Sequence, residues 1–254
     1  VNTQETPDRF AATNRILLGY EPGNERDSRM NVALLVSCEY ATCAVPGGQR
    51  VVFEGREEEL HSEAGWEPGA LNLAQAFAMA FRTPIVHGEV TRLLVDLEAS
   101  ESKRLGKYAS EISDHARERF GGPVWKGYRE TLRGRIAEDL QRHDAVVHVL
   151  AHVTGAVPGH VRMRVRDTTD LAATIATSWA AAATRDNLAA SMETGGIPGN
   201  LIDYLAAFFP PENYAPIRLE VAPPYFLEGR PMRWEECKKT LIQALSSTLA
   251  GLST

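Results

Sequence analysis

The sequence predicts an α/β protein with three layers, a mixed and largely parallel central sheet covered by helices on both faces. Two observations predict it. Residues 32–36 (VALLV), 145–151 (AVVHVLA) and 217–221 (IRLEV) are short and mostly apolar, as strands buried on both faces are. Between them stand amphipathic stretches of roughly ten to twenty residues, which suit crossover helices rather than hairpins.

Taken in order, residues 1–30 are polar and read as an irregular N-terminal arm, with Leu17, Leu18 and Tyr20 available to dock on the main body. The first strand breaks at Ser37-Cys38-Glu39-Tyr40 into a loop closed by Pro46-Gly47-Gly48. Residues 51–53 suggest a short strand, and residues 56–60 a charged helical turn or solvated loop. Leu71, Ala74, Phe77, Ala78 and Phe81 recur at helical spacing, with Pro68 in the first turn and Glu67 at the positive end of the helix dipole. Residues 84–86 and 93–95 read as strand pieces, the second ending in Asp96. Two charge-laced helices follow over 107–120 and 124–142, separated by Gly121-Gly122-Pro123.

The strand at 145–151 ends in His152, and alternation turns His148, Leu150 and His152 to one side. A structural role is expected for His148. Residues 161–166 alternate apolar and basic side chains, as a half-exposed strand does, and 171–184 form an alanine-rich helix. Gly195, Gly196, Pro198 and Gly199 mark 187–200 as a loop. Residues 201–209 form a short helix stopped by Pro210-Pro211, and 234–249 the C-terminal helix. With no repeat, low-complexity tract or linker, residues 31–254 read as a single domain.

Composition excludes several function classes. The 254 residues carry 27 Lys and Arg against 33 Asp and Glu, a net charge of -6, so there is no basic excess for nucleic acid. No run approaches the roughly 18–20 apolar residues of a membrane span, so no membrane partner is expected. Cys38, Cys43 and Cys237 make an odd count in a large chain, which points to a reducing compartment and the cytoplasm rather than a disulfide framework. A small molecule is the expected partner, and nothing in the sequence sets the oligomeric state.

The strand ends present Glu39 with Tyr40, His152 and Glu220, with Glu67 on a helix start between the first two. A histidine and several carboxylates at one sheet edge suit zinc, which takes nitrogen and oxygen ligands and lowers the pKa of a bound water to about 7. A further carboxylate then carries the proton to the leaving group. The sequence has no HExxH, G-x-S-x-G, GxGxxG or GxxxxGK[ST], so the common zinc-protease, serine-hydrolase, dinucleotide and P-loop motifs are absent.

Several segments in order resemble the N-formylglutamate amidohydrolase family, whose fold is phosphorylase/hydrolase-like and similar to that of zinc carboxypeptidases. They are VSCEYATCAVP, GWEPGA, RLLVDL at 92–97, SEIS at 110–113, Tyr128-Arg129, VHVLAHVTG and IRLEV, spread over residues 31–250. The resemblance implies metal-dependent hydrolysis of the amide of a small N-acyl amino acid or related compound. It implies zinc held by His152 and Glu67, with Tyr40 at the first ligand position, Glu220 as general base, and Arg92, Arg129 and Asn187 on the substrate side. Four positions depart from the family pattern. Tyr40 stands for the first metal-binding histidine, and a neutral phenol of pKa near 10 is a poor zinc ligand unless the metal ionises it. Glu98-Ala99 replaces Asn-Arg, Ala222 replaces an arginine, and LAASMETGG replaces an aromatic-glycine loop. These departures imply either an altered substrate or a non-catalytic pseudoenzyme that uses the former cleft to bind a ligand or protein partner.

Overall fold

A computed structural model describes residues 30–155, 159–167, 170–223 and 231–252; the arm at 1–29, with its docking residues, lies outside the described residues. The strands are β1 Val32–Cys38, β2 Ile85–His87, β3 Ala145–Val153, β4 Val161–Val165, β5 Ala190–Thr194 and β6 Tyr214–Val221. They form one six-stranded sheet in the order β2-β1-β3-β6-β4-β5. The β2, β1, β3 and β6 strands run parallel, β4 is antiparallel to β6, and β5 is parallel to β4. The described helices are α1 Glu57–His61, α2 Ala70–Phe81, α3 Asp114–Arg119, α4 Trp125–Asp139, α5 Leu171–Arg185, α6 Leu201–Ala206 and α7 Pro231–Gly251. None among the described residues is long and apolar enough to cross a membrane.

Apolar side chains sort the helices into two layers. Leu34, Val36, Val147, Val149, Ile217 and Leu219 pack against α2, α5 and α7. Leu35, Val146, Leu150 and Tyr214 pack against α3, α4 and α6. Every residue of β3 and β6 is buried, whereas β4 alternates, which matches its half-exposed expectation. Because side chains alternate along a strand, His148, His152, Arg218 and Glu220 all fall on the α4 and α6 face. Register then aligns them: His152 lies opposite Glu220, which lies opposite Arg162, and Leu150 lies opposite both Ser37 and Arg218.

Several sequence expectations are corrected. Residues 51–53 belong to a 3-10 helix, Gly47–Phe53, that buries Phe53 against Tyr108 at 5.5 Å and leaves Val51 two-thirds exposed. Residues 93–95 form a turn, because the amides of Leu94 and Val95 donate to the Thr91 carbonyl at 3.0 and 3.2 Å. Of the helix expected over 107–120, only the part from Asp114 forms, capped by the Ser113 hydroxyl. Gly121-Gly122-Pro123 does not separate two helices: a π turn over Phe120–Val124 carries α3 into α4, and such a turn accommodates the proline's missing donor. Pro68 precedes α2, whose cap is Gly69 at φ 94°. Within 187–200 the chain forms β5, since pairing with β4 overrides a local composition poor in β formers.

The buried histidine of β3 has the structural partners expected of it. His148 Nδ1 lies 2.8 Å from the Tyr214 hydroxyl and Nε2 lies 2.8 Å from Ser37 Oγ. Burial pushes its pKa down to about 4, against the pull of the Glu39 charge. In the unfolded chain an imidazole titrates near pH 6.5, so between about pH 6.5 and 4 the unfolded state takes a proton that the native state refuses. Stability from neutral His148 is therefore full above pH 6.5 and lost as pH falls through that window. Urea denaturation of wild type and His148→Asn tests this: the stability difference should shrink by about 2 kcal/mol between pH 7 and 5, and a pH-independent difference would contradict it.

A second outcome concerns the opposite layer. Trp179 on α5 is fully buried, donates to the Leu241 carbonyl at 2.9 Å and meets the Phe77 ring edge-on at 5.8 Å. Trp179→Ala should lower unfolding free energy by about 3–5 kcal/mol, read from the urea midpoint.

Candidate metal centre

The carboxyl ends of β1, β3 and β6, the segment before α2 and the turn after Asp96 bring charged side chains into one buried cluster. Glu39, Glu67, Glu98, His152, Arg218 and Glu220 are each no more than 3% exposed. His152 is the node. Its Nδ1 lies 2.9 Å from Glu67 Oε2, which also accepts the Val153 amide at 3.1 Å. On the other side of the ring, Nε2 lies 3.4 Å from Glu39 Oε2 and 3.4 Å from Glu98 Oε1. Arg218 bridges Glu98 and Glu220, through Nη1 to Glu98 Oε1 and through Nε to Glu220 Oε1 at 2.9 Å.

Each acid is aimed by its surroundings. Glu39 Oε1 accepts from the Ser37 hydroxyl at 2.7 Å and the Tyr128 hydroxyl at 2.8 Å. Glu98 sits on a tightly held turn, where Asp96 Oδ1 accepts the amides of Glu98 and Ala99 at 3.1 and 3.2 Å. The Glu98 carbonyl accepts the Asn200 amide at 2.6 Å. Gly199, at φ +83°, permits this approach, for a Cβ there would lie 2.8 Å from the Glu98 carbonyl oxygen.

Charge balance explains the protonation states. Burial and Arg218 both oppose charge on His152, yet Glu67, Glu98 and Glu39 outweigh them and raise its pKa well above the usual imidazole value. Burial works against ionisation of Glu98, and Arg218 with His152 overcomes it, holding the carboxyl down to about 2. Glu39 is likewise lowered, His152 and Ser37 outweighing burial. Arg218 is held charged in the same way, since Glu98, Glu67 and Glu220 outweigh its burial and raise its pKa.

The donor set fits a divalent cation. Glu39 Oε2, Glu98 Oε1 and His152 Nε2 converge as one nitrogen and two oxygens within 4.8 Å of one another. Glu39 Oε2 and His152 Nε2 have no hydrogen-bond partner. Ligand bonds of about 2.0–2.1 Å in a tetrahedral zinc site put ligand atoms roughly 3.3–3.4 Å apart, which is the spacing of Nε2 to each carboxylate.

Of the expected ligands Tyr40, Glu67 and His152, only His152 contributes an atom to this group. Glu67 binds the opposite ring nitrogen. Tyr40 donates to Asp96 Oδ1 at 2.8 Å and meets the His152 ring edge-on at 5.8 Å, so it braces the turn that carries Glu98. Glu220 is surrounded by guanidinium groups: Arg218, Arg162 at 2.8 Å in a geometry poor for hydrogen bonding, and Arg164 at 3.7 Å. Arg92 lies at the rim, one-third exposed, over the Tyr40 ring at 4.3 Å and 4.0 Å from Glu67. Arg129 is buried and donates to the carbonyls of Leu97, Glu98 and Ala99 at 3.3, 3.3 and 2.7 Å, stacked on Trp125. Asn187 is exposed on the turn before β5 and takes no part in the bonds and ion pairs that join the cluster.

Sequence reading passed over Glu98 and Arg218. Glu98 registered only as a departure from a family pattern. Alternation along IRLEV carried the signal for Arg218, because two charged residues two apart in a buried strand share a face and require partners.

No protein-family model and no curated protein matches the sequence. Solved structures do match in fold. The gene product Atu2144 from Agrobacterium tumefaciens is 17% identical, with a TM-score of 0.66 over 88% of this chain and 92% of that one. N-formylglutamate amidohydrolase from Ralstonia eutropha JMP134 is 12% identical, with a TM-score of 0.60 over 86% of this chain and 95% of that one. At these identities the likeness is one of fold: a mixed, mostly parallel six-stranded sheet flanked by helices.

Proposed function

We propose that the protein is a metal-dependent hydrolase acting on the amide of a small N-acyl amino acid or related compound, with Glu39, Glu98 and His152 as metal ligands. One observation carries this reading: the Nε2, Oε2 and Oε1 atoms face one another at ligand spacing, two of them without a hydrogen-bond partner. The fold likeness to N-formylglutamate amidohydrolase supports it. Bound there, a zinc ion supplies Lewis acidity and a water acidic enough to ionise near neutral pH.

The chain's own residues divide the remaining work. Glu67 Oε2 accepts the hydrogen bond of His152 Nδ1–H and so leaves the Nε2 lone pair as the ligand. Arg129 and Asp96 hold the turn that aims Glu98. Glu220, with three arginines around it, is the proton carrier, its Oε2 making no hydrogen bond although the quarter-exposed Arg162 lies 2.8 Å away. Arg92 at the rim faces an incoming substrate, and Asn187 borders the same end of the sheet, four residues before Ser191, which lies opposite Arg162. Ala99 and Ala222 in place of arginines favour a substrate other than N-formylglutamate. Free Cys38, Cys43 and Cys237 suit a cytoplasmic protein.

Arg218 favours a second reading. Its guanidinium already sits on Glu98 Oε1 and supplies positive charge beside the ligand group. A pseudoenzyme locked in this state would bind a ligand or partner without hydrolysis.

Elemental analysis of freshly purified protein, with turnover across a panel of N-acyl amino acids, separates the two. The first reading expects about one zinc per chain and activity lost to a chelator; metal-free, chelator-insensitive protein that binds a panel member without turnover establishes the second. Variants test the ligand assignment. Glu98→Gln and His152→Ala should each lose the metal, whereas Tyr40→Phe should keep it and lose only about 1 kcal/mol of stability with the Asp96 bond. Loss of zinc in Tyr40→Phe alone would return Tyr40 to the ligand set.

A further inference from the structure

Behind Glu39 runs a chain of buried hydrogen bonds that the proposed chemistry does not use. It passes from the Tyr214 hydroxyl to His148 Nδ1 at 2.8 Å, from His148 Nε2 to Ser37 Oγ at 2.8 Å, and from Ser37 Oγ to Glu39 Oε1 at 2.7 Å. Tyr214, His148, Ser37 and Glu39 are each no more than 2% exposed. Buried polar groups so placed must satisfy one another.

Counting protons fixes the direction of every bond. An ionised carboxylate only accepts, so the single Ser37 hydroxyl proton goes to Glu39. Ser37 Oγ is then left to accept, and the donor is His148 Nε2–H. A neutral imidazole with Nε2 protonated offers Nδ1 as an acceptor, which takes the Tyr214 hydroxyl proton. The serine and histidine are therefore not a nucleophilic pair: the Ser37 proton points at a carboxylate and its oxygen is closed to solvent.

Glu39 Oε1 accepts a second proton bond, from Tyr128 at 2.8 Å, and is thereby saturated toward α4. Only Oε2 is left, facing His152 Nε2. We propose that Ser37, backed by His148 and Tyr214, is a positioning residue that makes Glu39 a one-oxygen metal ligand. The inference rests on the metal-centre reading above. Without the Ser37 bond, Oε1 is held by Tyr128 alone, so the carboxylate is less firmly oriented, can turn both oxygens toward the ion and binds it more weakly.

The test uses metal-stripped full-length protein, zinc competition against a chromogenic chelator, and the visible spectrum of the cobalt(II) form. Ser37→Ala should weaken zinc about 10–100-fold and shift cobalt absorption toward the weaker bands of higher coordination. Ser37→Thr should restore both, which loss of packing alone would not explain. Tyr214→Phe should move affinity and spectrum in the same direction by less, and serves if Ser37→Ala does not fold. In the wild-type apoprotein, nitrogen NMR should find His148 in the Nε2–H form. Wild-type affinity and spectrum in Ser37→Ala, or an Nδ1–H tautomer of His148, overturns the inference while leaving the metal centre standing. A wild-type protein that takes up no zinc overturns the metal-centre reading and this inference with it.

Discussion

Buried charge must be paired, and the end of this sheet is organised by that requirement. Four carboxylates lie within reach of one imidazole and one buried guanidinium, all shielded from water. An isolated carboxylate there would cost several kcal/mol. His152 answers three of the acids and Arg218 two of them, and the register that sets Arg162 opposite Glu220 brings that acid a further guanidinium. The surrounding devices serve the same cluster: the Asp96 turn, the Arg129 clamp on three carbonyls, and the Gly199 approach all hold Glu98 where its partners can reach it.

This balance also gives physical sense to positions that look like losses in the sequence. An acid at position 98 is unwelcome beside an anionic substrate, but it is compatible with a centre that gathers cations. Ala99, where an arginine clamp is lacking, contributes its carbonyl to Arg129 and to the Trp125 indole at 3.1 Å. Tyr40 keeps contact with the cluster through its ring and sends its hydroxyl to Asp96. The carboxyl end of the central strands is therefore organised around this charge pattern, and function must be argued from it rather than from the fold.

Much of the fold was legible because the central strands announce themselves. VALLV and AVVHVLA read as doubly buried strands, and the alternation that put His148, Leu150 and His152 on one side holds in the structure. The edge of the sheet was not legible: ASMET has little β propensity of its own and becomes a strand only through pairing with β4. Residues 93–95 failed in the opposite sense, since an apolar run was claimed by a hydroxyl-anchored turn at Thr91. At the site, strand ends located His152, Glu39 and Glu220, while the distinction between ligand and brace was invisible. Glu67 and Glu98 both touch His152, and only the fold tells which ring nitrogen each one meets.

The guanidinium of Arg218 sits on Glu98 Oε1, and under the proposed function a divalent ion would compete with it there, the outcome deciding between a hydrolase and a binding protein. Anomalous diffraction at the zinc absorption edge, from crystals of protein purified without chelator, addresses that competition directly. A metal centre of this kind gives one anomalous peak within bonding distance of Glu39 Oε2, Glu98 Oε1 and His152 Nε2, with Glu67 still on Nδ1. A site without an anomalous peak, in which Arg218 spans Glu98 and Glu220, would contradict it.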